Sequence, residues 1–111
     1  MSEKHLWGVP PSIEGLKLLT QGIIPAAVAF RWMIFVEGGS KNFVQLCRYA
    51  VENGGHVRVG VGDTPLYDGR ALANAEQVAE IVEMAQKAGR GVARPSAARA
   101  QLSRRPERSS L

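Results

Sequence analysis

The sequence lacks features that define several other classes of protein. No apolar stretch approaches the ~18 residues of a membrane-spanning helix, and even a long uninterrupted run such as Trp32 to Val36 has only the length of a strand. The opening residues, MSEKHLWG, lack the apolar core and small-residue cleavage site of a secretory signal. The single cysteine, Cys47, excludes an internal disulfide and fits a reducing cytoplasm. We therefore expect one small cytoplasmic domain that does not cross a membrane.

Acidic residues are scarce only toward the carboxyl end. Residues 1–89 hold eight Lys/Arg and nine Asp/Glu, whereas residues 90–111 hold six Arg and one Glu. A basic tail can bind nucleic acid or acidic lipid, but this one has no aromatic side chain to stack on a base. We interpret residues 103–111, SRRPERSSL, as a disordered basic tail, and we expect no nucleic-acid or membrane partner.

What the sequence does contain is an alternation of strand and helix signals. Apolar, β-branched and aromatic runs predict strands, and Ser or Asn caps followed by apolar residues at helical spacing predict helices. The predicted strands are Leu6–Val9, Val28–Val36 and His56–Val61. The predicted helices begin after Ser12, after Ser40 and at Asn74, and they end at Gly22, at Asn53-Gly54-Gly55 and at Gly89. A short helix from Pro95 to Leu102 follows.

Two of these helices show clear apolar stripes. The second helix is expected to bury Phe43, Leu46, Cys47, Ala50 and Val51. The third is expected to bury Val78, Ile81, Val82 and Ala85, with Gln77 forming a capping box with Asn74.

The order β-α-β-α-β-α predicts an α/β fold with a parallel sheet. Three parallel strands that are apolar on both faces need cover on both sides and further strands at their edges, but only three helices are available. The chain therefore either assembles with itself or another chain, or forms a piece of a larger α/β fold.

Two segments of the final part carry a resemblance to a known family. GGHVRVGVGD (54–63) and NAEQVAEIVEMAQKAGRGVARPSAAR (74–99) resemble the C-terminal end of the beta-keto acid cleavage enzymes, and WGVPPSIEGL (7–16) and AFRWMIFVEGG (29–39) look like the preceding segments. The resemblance covers about residues 5 to 102. It implies that residues 1–102 form the last three units of a (β/α)8 barrel, whose full length is typically ~250 residues. A truncated gene product, a mis-called start and half of a split protein all remain open.

The resemblance also implies an activity. Family enzymes use a divalent metal, usually Zn²⁺, and transfer an acyl group between a beta-keto acid and acetyl-CoA, giving acetoacetate and a new CoA thioester. Arg58 and Asp63 match the family's catalytic Arg and Asp. A guanidinium in a barrel mouth can bind a keto-acid carboxylate or enolate through two parallel hydrogen bonds. The alternative is an ion pair that only stabilises the end of the strand.

The sequence departs from the family at the metal. Gly62 stands where the family has a metal-binding Glu, and no His-x-His is present. His56 matches a family His at the start of the strand. Residues at that end of a barrel strand serve stability and not catalysis, so we interpret His56 as structural. We expect no metal ligand in this chain. Three explanations remain open: metal binding is lost, Asp63 replaces the Glu as a ligand, or the metal is held by a different arrangement of residues.

Gly38, Gly39 and Ser40 form a weaker candidate site for a cofactor. They precede a helix N-terminus, where free N–H groups favour an anion, so a CoA phosphate or the substrate carboxylate could bind there. The alternative is a tight turn with Ser40 as a helix cap. The partners expected are thus a beta-keto acid and acetyl-CoA, with either a homo-oligomer or a missing N-terminal barrel segment. Against the enzyme stands a second hypothesis, a non-catalytic barrel remnant or assembly piece.

Overall fold

The computed structural model describes residues 1–3 and 8–103, and these residues build a small α/β unit. The elements follow the chain in the order that the sequence predicts from the first helix onward. They are α1 (Ile13–Lys17), which continues as a π-helical segment (Leu18–Ile23), β1 (Met33–Ile34), α2 (Phe43–Glu52), β2 (His56–Val57), α3 (Asn74–Lys87) and α4 (Pro95–Ser103).

The two strands are parallel, as predicted, but much shorter than predicted. Met33 pairs with His56 and Ile34 with Val57, and the Arg58 N–H donates to the Ile34 carbonyl at 2.9 Å. The prediction of a central strand from Val28 to Val36 is wrong in length, because Val28 and Phe30 are exposed and have no pairing partner in the described chain. An apolar run signals burial only where neighbouring strands are present to provide it.

The N-terminal residues run parallel to the segment that follows β1. Ser2 forms an isolated parallel bridge with Glu37, and the Glu37 N–H donates to the Met1 carbonyl at 3.0 Å. The predicted first strand, Leu6–Val9, falls partly outside the described residues, and its described end at Val9 is not in a strand. Three parallel strands of regular length are therefore not observed in residues 1–3 and 8–103.

The sheet has one covered face and one open face. Ile34 and Val36 point into the core and are buried, whereas Met33, directly before Ile34, is 54% exposed. Because Met33 is in register with His56, and side chains alternate along a strand, His56 and Arg58 share the open face. Both are exposed.

Helix α2 covers the other face and supplies most of the core. All five residues of its predicted stripe are buried: Phe43, Leu46, Cys47, Ala50 and Val51. Gly54 has a φ of +80° just after the helix, as its predicted end requires. The Arg90 guanidinium then donates to the carbonyls of Val51 and Gly55 at 2.9 and 2.7 Å, so a cation satisfies the carboxyl end of α2.

Helix α3 begins at Asn74, as predicted, but its capping residues lie one position earlier than the predicted pair. Ala73 occupies the N-cap position, and the Glu76 carboxylate accepts from the Ala73 N–H at 2.7 Å. The predicted capping box between Asn74 and Gln77 is therefore wrong, and both side chains are left to face the preceding loop. The predicted stripe also fails at Val78, which is 50% exposed, whereas Gln77 is fully buried.

The ends of the last two helices agree with the sequence. Gly89, with a φ of +73°, follows the end of α3, and α4 extends one residue past its predicted limit, to Ser103. The rest of the predicted tail, residues 104–111, lies outside the described residues. Among residues 1–3 and 8–103, no helix combines the length and apolar character needed to cross a bilayer.

Burial gives Cys47 a testable property. Desolvation raises the pKa of the thiol from 9.0 to about 12, so only the unreactive neutral form is present near pH 8. We expect a disulfide reagent to label Cys47 slowly in the native protein and rapidly in denaturant. Because the folded pKa is the higher one, this contribution to stability is complete below pH 9 and is lost as the pH rises toward 12. Labelling at equal rates in both states would contradict a buried thiol.

Candidate active site

A tight turn after β2 presents Asp63 at the carboxyl end of the strand. The Thr64 N–H donates to the Gly60 carbonyl at 2.8 Å and closes this turn. Arg58 directly follows β2 and lies five residues before Asp63. Active sites of barrel and open parallel α/β folds form at the carboxyl ends of strands, so this turn occupies the expected position.

Arg58 and Asp63 form a two-point ion pair. Arg58 Nε donates to Asp63 Oδ2 at 2.8 Å, and Nη2 donates to Oδ1 at 3.0 Å. The side chains are 48% and 25% exposed, and exposed pairs typically contribute only ~0–1 kcal/mol to stability. The ion pair therefore stabilises the strand end only modestly, which is compatible with a chemical role for Arg58 and Asp63.

The Phe35 ring packs against the guanidinium of Arg58. The Arg58 guanidinium carbon lies 3.9 Å from the centroid of the Phe35 ring, within the range of a cation–π contact. Asp63 approaches the Nε side, and its two bonds use two of the five guanidinium N–H groups. Within the described chain, the remaining edge, formed by Nη1 and the outer N–H of Nη2, makes no hydrogen bond. That edge can bind a planar carboxylate by donating hydrogen bonds to it.

The ends of β1 and β2 are tied together at this point. The Gly38 N–H donates to the Asp63 carbonyl at 2.8 Å, and the buried Thr64 hydroxyl donates to the Val36 carbonyl at 3.3 Å. The backbone that carries Asp63 is thus held against the end of the neighbouring strand.

The structure gives the Gly38-Gly39-Ser40 segment several bonds of its own. Gly38 and Gly39 both have a φ of +78°, which a glycine adopts without steric cost. The Gly38 N–H is engaged by Asp63. Asn42 rather than Ser40 is the N-cap of α2, and the Ser40 hydroxyl accepts from the Asn42 N–H at 3.1 Å while donating to the Glu3 carboxylate.

This segment lines an open cleft of about 650 Å³ that also receives Glu3, Lys41 and Asp68. The two carboxylates outnumber the one ammonium group, so the cleft in this state is not a strongly anion-attracting surface. Arg58 and Asp63 are not among its lining residues. The two candidate sites are therefore connected by the hydrogen bond from the Gly38 N–H to the Asp63 carbonyl, but they do not form one cavity.

The residues present do not fit a zinc site. Gly62 offers no ligand atom, both oxygens of Asp63 are engaged by Arg58, and residues 1–3 and 8–103 contain no group of three or more His, Cys, Asp or Glu that could hold a metal. His56 is exposed on the open face, and His5 lies outside the described residues. Zinc in proteins takes at least three such ligands, and the described residues do not supply such a set.

Three residues of the site were missed by the sequence reasoning. Phe35 could have been predicted from the alternation of side chains along a strand. It lies two residues after Met33, so it points to the same face of the sheet and lies beside Arg58. Asn74 and Gln77, whose side chains are hydrogen-bonded to Val61 and Thr64 on either side of Asp63, gave no such signal, since polar residues at a helix start are typical caps.

Taken together, these features define a parallel βα unit with an arginine–carboxylate pair at the carboxyl end of its last strand. The model of the beta-keto acid cleavage enzyme family matches residues 3–103 of this sequence. The chain therefore belongs to that family. It is also 40% identical over 70 residues to a 3-keto-5-aminohexanoate cleavage enzyme of Fusobacterium nucleatum, a match that covers 61% of this chain and 26% of that protein. The chain thus spans about a quarter of the length of the curated relative it matches.

Proposed function

We propose that this chain supplies one wall of the active site of an enzyme that transfers an acyl group between a beta-keto acid and acetyl-CoA, giving acetoacetate and a CoA thioester. The observation that carries the proposal is the Arg58–Asp63 pair, with the free edge of its guanidinium at the carboxyl end of β2. Family membership supports the reaction class.

Arg58 binds the acidic substrate in this proposal. Its free edge presents parallel N–H groups, which match a carboxylate or an enolate better than a lysine would. When a base on a wall of the site that this chain does not supply takes the proton from the carbon between the keto and carboxylate groups, negative charge is left on an enolate oxygen. A fixed guanidinium stabilises that charge where it develops, an effect typically worth several kcal/mol.

Asp63 and Phe35 keep the guanidinium in place. Asp63 bonds the Nε side, and the Phe35 ring centroid lies 3.9 Å from the guanidinium carbon. The free edge is therefore held by contacts that exist before substrate arrives, which is what preorganised electrostatic catalysis requires.

Acetyl-CoA is the proposed co-substrate, and the Gly38-Gly39-Ser40 cleft is its proposed contact in this chain. With a volume of about 650 Å³, the cleft lies within the usual size range of small-molecule sites. A phosphate there would displace the Glu3 carboxylate from the Ser40 hydroxyl. Zinc enters the proposal only through ligands outside this chain, and no step above depends on it.

The remaining walls must come from other polypeptide, because the open face of the sheet carries exposed Met33, His56 and Arg58. We propose that a missing N-terminal barrel segment, or other copies of this chain, cover it. The buried thiol of Cys47 fits a reducing compartment such as the cytoplasm. The alternative function, a barrel segment without catalysis that needs a partner chain, is favoured by Gly62.

A chimeric barrel tests both functions. The C-terminal units of the Fusobacterium relative would be replaced by residues 3–103, either unchanged or with Gly62→Glu. A Cβ added at Gly62 meets nothing within 4 Å, so the backbone there has space for the start of a side chain. We expect acetyl-CoA-dependent cleavage of a beta-keto acid, with the Glu variant the more active. Activity only with Gly62→Glu would favour the non-catalytic alternative for the natural chain, and folded but inactive chimeras of both kinds would refute the enzyme proposal.

A further inference from the structure

The first turn of α3 holds both ends of the turn that carries Asp63. Asn74 Oδ1 accepts from the Val61 N–H at 2.9 Å, and Gln77 Nε2 donates to the Thr64 carbonyl at 3.1 Å. Residues three apart lie on the same face of a helix, so one helical turn contacts the chain before and after Asp63.

These bonds complete a frame around the Asp63 backbone. The turn closes on itself between Thr64 and Gly60, and the Asp63 carbonyl is bonded to Gly38. Asn74 and Gln77 then fix the flanking residues to α3. Because Asp63 meets Arg58 through two bonds of 2.8 and 3.0 Å, a shift of about 1 Å in its backbone would break at least one of them.

The burial of Gln77 is hard to explain by stability alone. Its side chain is fully buried, and Nε2 also donates to the Leu72 carbonyl at 3.3 Å. Its Oε1 atom, however, is buried without a hydrogen-bond partner among the described residues. An unpaired buried acceptor is unfavourable, so the amide is a poor choice for packing and a good one for holding the Thr64 carbonyl.

We propose that Asn74 and Gln77 are positioning residues that hold the Asp63 carboxylate against the Nε side of Arg58. The proposal rests on the function proposed above for the Arg58–Asp63 pair. It gives α3 a role in the site although no side chain of α3 contacts Arg58 or Asp63 in the hydrogen bonds described.

The test is hydrogen exchange of the Arg58 Nε–H in the 111-residue chain, measured by NMR, with the exposed Arg94 and Arg99 as internal references. In the wild type we expect exchange about tenfold or more slower than at the references, because the proton is bonded to Asp63. Asn74→Ala and Gln77→Met should raise the rate about tenfold. Asn74→Asp retains an acceptor oxygen and should keep it slow, and Gln86→Ala, at an exposed position of α3, should change nothing.

Unfolding by urea is measured on the same variants. If Asn74→Ala and Gln77→Met lower the free energy of unfolding but leave Arg58 exchange unchanged, the residues are structural only and the proposal is overturned. An unprotected Arg58 Nε–H in the wild type overturns it as well. Should one variant not fold, the other decides. The readout needs no substrate, so an inactive chimera with exchange that depends on Asn74 would refute the proposed reaction and leave the positioning role standing.

Discussion

Arg58→Met is expected to lower kcat/KM of the active chimera by about 10²–10³-fold, the range seen when one preorganised group that stabilises an oxyanion is removed. Methionine keeps much of the length and the apolar stem but provides no N–H group for the substrate. The free energy of unfolding should change by no more than ~1 kcal/mol, because the Arg58–Asp63 pair is partly exposed. Steady-state kinetics and urea unfolding on the same preparations measure the two effects.

Two variants sharpen this experiment. Arg58→Lys keeps the charge but loses the planar fork, so it should recover only part of the activity. Arg70→Met removes another arginine that pairs with a carboxylate, Glu80, at 3.4 Å, and it should leave turnover unchanged. Equal losses for Arg58→Met and Arg70→Met would indicate a general effect of surface charge and would remove Arg58 from the mechanism.

The helices were the most predictable part of the fold. The α2 stripe was correct at every position because its apolar residues face a core that this chain itself contains. The α3 stripe failed at Val78, which is exposed because the described chain provides nothing that covers it. A periodic apolar pattern shows which face of a helix is suited to burial. That face is buried only where another part of the protein packs against it.

The strands show the same limit. The run from Val28 to Val36 is apolar enough for a central strand, yet only Met33 and Ile34 pair with β2. Strand length depends on neighbours that are distant in sequence, and a single chain sequence does not specify them when they lie on other polypeptide. The parallel direction of the two observed strands was still predictable, because alternation with helices requires parallel crossovers.

The candidate site divides in a similar way. The pairing of Arg58 with Asp63 was suggested by resemblance and is a direct bond in the structure. Asn74 and Gln77 were assigned to helix capping from local propensity, but Ala73 and Glu76 perform that task one residue earlier. Local rules could not reveal this, because the competing bonds to Val61 and Thr64 cross thirteen residues of chain.

Gly15→Ala is expected to destabilise the protein by about 2 kcal/mol, although helix propensity alone favours the change by ~1 kcal/mol. Gly15 is buried in α1. An added Cβ would lie 2.6 Å from the Pro10 carbonyl oxygen and 2.6 Å from Val9 Cγ1. The Pro10 carbonyl accepts from the Ser12 N–H at 2.8 Å, and Ser12 caps α1 through the Gly15 N–H at 3.0 Å. Backbone therefore has to move, and the cap is disturbed with it.

Gly22→Ala is the matched control, because it lies in the π-helical segment that continues α1. There the new Cβ would meet only the end of the Leu18 side chain at 3.0 Å, which can rotate away. We expect this variant to be neutral or more stable by up to ~1 kcal/mol. Urea unfolding should thus give opposite signs for two identical substitutions 7 residues apart. Stabilisation by both would show that Val9–Pro10 does not pack against α1, and the N-terminal wall of the core would then need a different arrangement.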